Sequence, residues 1–209
     1  MSSNLAKESI LKKIRQALQQ PVPVPFVKND NPSTVFHTAQ QDNTVIFAET
    51  FTGLQGKFSF CKDEIELNKQ FCQLIKERGW SYVYCKEQKF LPLLQNAFIE
   101  PYSDLESCDV AVTGCEYLVA RTGTIVMSAA QESGRTASVY APIHICVASA
   151  SQVVYDIGDA LHQLHLEYQN NLPSLITFAS GPSRTADIEK TLVTGVHGPK
   201  EVYCFLIED

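Results

Sequence analysis

The sequence predicts an α/β fold built on a parallel or mixed sheet with helices on both faces. Two observations carry that expectation. In the first half of the 209 residues, short strand-like and helix-like segments alternate. The strand-like segments are apolar along their length, as strands buried on both faces are. A third observation concerns the second half: strands crowd together between residues 109 and 150, so part of the sheet is expected to be antiparallel.

The elements follow in order. Residues 4–20 place Leu11, Ile14 and Leu18 on one helical face, with Ala6, Ile10 and Ala17 beside them and Lys12, Lys13 and Arg15 elsewhere. Pro21 ends this helix, and PVPVP (21–25) with the polar KNDNPS forms an extended connector. The division expected is an arm, 1–34, joined to a domain, 35–209. The arm's apolar stripe requires burial, on its own domain or on a partner subunit. Residues 44–55 read as a helix ending near Gly56, and KFSFC (57–61) as a strand.

Asp63 caps a helix running to about Arg78, with Ile65, Phe71, Leu74 and Ile75 inward and Gly79 as its stop. SYVYC (81–85) is a strand, and QKFLPLLQNAF a proline-interrupted helix. DVAVTGC (109–115), GTIVMSA (123–129) and HICVASA (144–150) are buried strands. A helix over 154–169 precedes the strand SLITFAS (174–180), and EVYCFLIED closes the chain.

Charge and cysteine usage exclude several classes. A net charge of −6 leaves no basic excess to displace counterions from a nucleic acid. No apolar stretch reaches the ~20 residues of a membrane span, and charges interrupt the N-terminal apolar runs, so a cytoplasmic location is expected. The seven cysteines (61, 72, 85, 108, 115, 146 and 204) contain no CxxC pair. Neither an intrinsic iron–sulfur cluster nor a structural zinc site is expected from such spacing. Free buried thiols suit a reducing compartment.

Three segments, VTGCEYLVARTGT, ASASQ and SGPSRTADIE, are expected to leave strand ends, where ligands gather in open α/β sheets. The most explicit is SGPSRTADIE. Gly181 and Pro182 turn the chain, Ser183 or Thr185 caps a helix, and Arg184 adds a cation, so this end can hold a phosphate or carboxylate. Asp187 and Glu189 compete, since they can satisfy the same helix end and pair with Arg184. In TGVHGP, Gly195 and Gly198 bracket Val196 and His197, a candidate proton carrier or ligand donor that can equally bond loop backbone. RTGT offers Arg121, Thr122, Gly123 and Thr124 as polar turn residues. On helix 154–169, His162 and His165 share a face near Glu167 but have no third metal ligand, so no metal site is expected. Leu161, Leu164 and Tyr168 form that helix's expected buried stripe. Acid–base candidates are Glu116, Glu132, Asp187, Glu189 and His197.

The ordered motifs T-G-T-I-V, P-x-H-I-x-V, G-P-S-R-T-A-D-I-E and G-V-H-G-P resemble the lactate-utilisation (LUD, formerly DUF162) family, in its LutC/YkgG branch. The resemblance covers roughly residues 43–209. It implies a three-layer α/β/α sandwich on a mainly parallel, partly mixed sheet, akin to the NagB/RpiA/CoA-transferase group. It also implies a cluster-free subunit of a system that oxidises L-lactate to pyruvate, with iron–sulfur clusters on partner subunits. The family supplies no established catalytic residue. Its members often carry an acid before T-G-T, where this chain has Arg121. The expected site is an anion cleft formed by Arg121, Thr122, Gly123, Thr124, Gly181, Ser183, Arg184, Thr185, His197 and Gly198. A second copy of this chain is a further partner left open, and the alternative function is a stand-alone enzyme on a sugar-phosphate, folate or acyl-CoA substrate.

Overall fold

The computed structural model describes residues 2–18, 41–185, 193–195 and 197–208. The chain divides into two compact units, Met1–Thr38 and Ala39–Asp209. The first contains helix α1 (Ser2–Leu18), on which Ile10, Leu11 and Ile14 are exposed. The expected connector over 21–25 lies outside the described residues.

The second unit opens with α2 (Asn43–Gly53). The Asp42 carboxylate accepts the Thr44 N–H at 2.7 Å, and Phe47 and Phe51 are fully buried on its inner face. Strand β1 (Lys57–Cys61) leads to α3 (Glu64–Arg78), capped by Asp63 and stopped by Gly79 at φ 65°. The side chain of Asp63 accepts the otherwise orphaned N–H of Glu66 at 2.7 Å. Leu67, Phe71 and Ile75 form the buried stripe at four-residue spacing. Ile65, expected inward, is 80% exposed, because it falls two positions off that stripe.

Strand β2 (Val83–Tyr84) precedes a 3₁₀ turn, Gln88–Phe90, and α4 (Leu91–Asn96). Pro92 starts α4 instead of interrupting it, since its missing N–H costs nothing in a first turn. Then come β3 (Val110–Thr113), β4 (Tyr117–Val119), β5 (Thr124–Ser128), α5 (Ala137–Tyr140), β6 (Ile143–Ser149) and β7 (Val153–Val154). The chain continues through α6 (Ile157–Tyr168), β8 (Ile176–Ala179), β9 (Arg184–Thr185), β10 (Val193–Thr194) and β11 (Glu201–Ile207).

The α/β architecture is as expected, but the antiparallel strands do not join the main sheet. Five strands in the order β1-β11-β6-β3-β2 are parallel throughout. A separate four-stranded sheet, β7-β4-β5-β8, holds the antiparallel β4–β5 and β5–β8 pairs. One face of the parallel sheet presents Val112, Ile145 and Phe205 to Phe71 of α3 and Leu94 of α4. Its other face presents Cys146, Val202 and Cys204 to Phe47 and Phe51 and to Ile125 and Met127 of the second sheet. The outer face of that second sheet is sealed by Ala160 and Leu164 of α6 against Val119 and Val126. Leu161, expected in the stripe of α6, is 44% exposed, and Ala160 takes its place.

The sharpest departure lies at SGPSRT. Arg184 and Thr185 form β9 there and pair antiparallel with Thr194 and Val193 of β10, so no helix starts at Ser183; the rest of the stretch expected to be helical, from 186, lies outside the described residues. The N–H of Ser183 goes to the Pro199 carbonyl at 2.9 Å, and the Ser183 carbonyl accepts the Gly195 N–H at 3.0 Å. With those backbone groups engaged, no cluster of free helix N–H groups exists at 183–185.

Candidate functional site

The hairpin brings residues 180–183 and 197–200 together over the amino-terminal ends of β6 and β11. A cavity of about 240 Å³ is lined there by Ser138, His144, Ser180, Ser183, His197 and Gly198, among others. An adjoining cleft of about 430 Å³ shares Val139, His197 and Gly198 and adds Lys200. Two of the predicted segments therefore meet. Their position differs from the expected one, because β8 pairs with β5 in the second sheet, not in the parallel sheet. Its carboxyl end thus delivers Ser180 to the amino-terminal edge of the parallel strands.

Glycine is required at several close approaches. Gly181 has φ 77°, and a Cβ there would stand 2.7 Å from the Leu54 carbonyl oxygen. At Gly198 a Cβ would stand 2.9 Å from the Ser183 Cβ, so glycine lets the two arms of the cleft touch.

The third predicted segment joins through hydroxyls. The Thr124 hydroxyl lies 2.7 Å from the Thr122 hydroxyl and 2.7 Å from that of Ser180. Gly123, at φ 56°, packs against the backbone of Phe51 and Thr50 in α2. Two of the expected cations are engaged with the scaffold. Arg121 Nε lies 2.5 Å from Asp156 Oδ2 at the start of α6. The guanidinium of Arg184 donates to the Leu54 carbonyl, at the carboxyl end of α2 where cations are favoured. Thr185 lies in β9, and Asp187 and Glu189 lie outside the described residues. Cation character at the cleft comes instead from Lys200, and among the described residues no carboxylate lines either cavity.

His144 is the residue that the sequence did not single out. It is 1% exposed, near the start of β6, and its Nε2 lies 2.8 Å from the Thr113 hydroxyl. Burial pushes its pKa down to about 4, so the ring is neutral near pH 7. Its sequence signals are its place in the P-x-H-I-x-V motif and its being the lone polar residue within the apolar run IHICVA, and neither assigns it a role.

A second pocket, about 310 Å³, sits where the sequence expected one, at the carboxyl ends of β2 and β3. It is lined by Glu87, Lys89, Cys115, Glu116, Glu132 and Tyr168. Glu87 is 4% exposed and accepts the Gly114 N–H at 2.8 Å, with Lys89 Nζ at 3.4 Å. Glu116 accepts from the hydroxyls of Ser128 at 2.5 Å and Tyr168 at 2.9 Å. Burial, and then the carboxylate beside it, push the Tyr168 phenol up to about 12. Glu132 accepts the Gln88 N–H at 2.7 Å. Nothing in the local sequence around Glu87 or Tyr168 marks either residue, because their convergence is created by the topology.

Six of the seven cysteines are buried, and all seven are free thiols. Cys115, hydrogen-bonded to the Cys146 thiol and buried, is held well above the ordinary thiol range. His162 and His165 are both exposed on α6. Among the described residues no group of three or more His, Cys, Asp or Glu is placed to hold a metal ion. No helix among them is long and apolar enough to cross a membrane.

Comparison with known proteins agrees with this fold. The LUD domain family model matches residues 46–207. Lactate utilization protein C of Halalkalibacterium halodurans is 37% identical over 106 residues, covering 50% of this chain and 46% of that protein. Uncharacterized protein YkgG of Escherichia coli strain K12 is 35% identical over 112 residues, covering 53% of this chain and 48% of that protein. The matched stretch thus spans about half the length of these curated relatives. The crystal structure of a DUF162 family protein from Deinococcus radiodurans superposes with a TM-score of 0.60 at 17% identity, covering 82% of this chain and 99% of that one. Because the family model spans most of the Ala39–Asp209 unit and the backbone agrees with a solved relative, the chain belongs to the LUD domain family.

Proposed function

We propose that this chain is a cytoplasmic, cluster-free component of a system that oxidises L-lactate to pyruvate, with iron–sulfur clusters on partner subunits. In this role the cleft at Ser183, His197 and Lys200 binds the small carboxylate. The names of the relatives support the metabolic assignment, since several are called lactate utilization protein C. The observation that carries the site is the lining itself: hydroxyls, an imidazole and an ammonium surround it, with no carboxylate among the described residues. Such a surface favours a compact anion, because each donor strengthens when its acceptor is charged. Cofactor chemistry is assigned to the partners, and this chain contributes binding and positioning.

The test is capture of the tagged full chain from its native cells. Co-purification of cluster-bearing proteins, seen by iron content and visible absorbance, supports the reading. A chain that returns without such partners, and that shows no saturable L-lactate binding by calorimetry, contradicts it.

A second reading rests on the Glu87–Glu116–Glu132 pocket. Paired carboxylates beside Lys89 and Tyr168 suit acid–base chemistry in a stand-alone enzyme on a sugar-phosphate, folate or acyl-CoA substrate. Turnover of such a substrate by the isolated chain, abolished in Glu116→Gln, would favour it over the first.

A further inference from the structure

The hydrogen bonds around His144 determine which face of its ring is available. The Thr113 hydroxyl donates to the Gly114 carbonyl at 2.8 Å, so its single proton is committed. His144 Nε2, 2.8 Å from the same oxygen, must therefore be the donor in that pair. A neutral ring with its proton on Nε2 carries a bare lone pair on Nδ1. Among the described residues Nδ1 has no hydrogen-bond partner. His144 lines the 240 Å³ cavity together with Ser138 and Ser183. A side chain that is 99% buried, unpartnered on one nitrogen and bordering a cavity has a hydrogen-bond acceptor with nothing to accept from.

We propose that His144 Nδ1 accepts a hydrogen bond from the hydroxyl of the bound ligand, so that the cavity selects 2-hydroxycarboxylates over the corresponding 2-oxocarboxylates. This rests on the preceding assignment of the cleft to a small carboxylate. A hydroxyl can donate to Nδ1, whereas a keto oxygen brings a second lone pair against the first. The low proton affinity conferred by burial keeps the ring an acceptor through the neutral pH range. Thr113 is a positioning residue, because it fixes the tautomer without lining the cavity.

The test is calorimetric binding of L-lactate, pyruvate and propionate to the full chain, with nitrogen NMR of the His144 ring. The expected result is L-lactate at least about tenfold tighter than either of the others, the loss expected for one missing hydrogen bond to a buried group. The ring should show a protonated Nε2 and a bare Nδ1. In His144→Phe the three ligands should bind within about twofold of one another. Thr113→Val should narrow the preference by releasing the tautomer, and Thr113→Ser should restore it. Equal binding of all three ligands to the native chain overturns the inference while leaving the carboxylate cleft standing. Binding of none overturns both, and a ring protonated on Nδ1 overturns the inference regardless of ligand. If His144→Phe does not fold, the native tautomer and the Thr113 pair still decide.

Discussion

Arg121 Nε lies 2.5 Å from Asp156 Oδ2, and Asp156 is at the same time the N-cap of α6. The cation before the T-G-T turn thus serves the start of a helix on the second sheet. Asp156 also accepts the Gly158 N–H at 3.2 Å, so one carboxylate joins the turn to the cap. The Arg121 hydrogen bond holds the Asp156 carboxyl below its ordinary range. Its stabilisation is present above the unfolded carboxylate pKa and is lost as pH falls through the lowered folded value. Because the pair is partly exposed, Arg121→Ala should cost no more than about 1 kcal/mol at neutral pH. Chemical denaturation at low and high salt checks this, with a smaller difference expected at high salt. L-lactate affinity should change by less than about twofold.

His144 gives a pH signature of the same sign in a higher window. Its folded pKa is depressed to about 4 from the ordinary imidazole value of 6.5, so the unfolded chain takes up the proton first as pH falls. The native state should be fully favoured by this group above about pH 6.5 and progressively disfavoured down to pH 4. From those two values the loss at pH 5 is roughly 2 kcal/mol. Urea midpoints measured at pH 8 and pH 5 should show it, and the slope should shrink in His144→Phe. A midpoint insensitive to pH across this window would contradict the neutral buried ring.

Gly181 combines positive φ with a close backbone neighbour. Gly181→Ala should destabilise the protein by roughly 1–3 kcal/mol, the usual cost of strained backbone. The clash is with the Leu54 carbonyl, which also receives the Arg184 guanidinium, so the substitution should loosen the hairpin as well. Faster amide exchange at Ser183 and Gly195 than in the native chain is the expected readout. Gly134 also has positive φ, at 68°, but a Cβ there would meet nothing within 4 Å. Gly134→Ala should therefore cost less.

Removing the cap of α3 should cost about 1 kcal/mol, as such caps do. In Asp63→Ala the Glu66 N–H loses its 2.7 Å acceptor. Thermal unfolding of Asp63→Ala and Asp63→Asn separates the lost acceptor from the lost charge, since asparagine retains the oxygen.

Local signals were legible wherever a residue acts on its own neighbours. Asp63 and Gly79 mark both ends of α3 because capping is a matter of a few adjacent residues. The apolar strands β3, β6 and β11 were equally plain, since burial on both faces leaves no alternation. Partition into two sheets was not legible. Strand β4 has three residues and β7 has two, and their pairing depends on partners far along the chain. The same is true of SGPSRT, where Arg184 and Thr185 pair with Thr194 and Val193, a contact no local signal announces. At the site, Ser183, His197 and Gly198 were visible through their turn residues. His144 was not, because a histidine in an apolar strand has the same sequence appearance whether or not it borders a cavity.

The most direct test of the proposed site is a crystal structure of the full chain soaked with L-lactate. The ligand should lie in the cavity beside Ser183, with its carboxylate within hydrogen-bond reach of His197 or Lys200 and its hydroxyl on His144 Nδ1. Lactate seated between Glu87 and Glu116, or absent from the His144 cavity at saturating concentration, would contradict that placement.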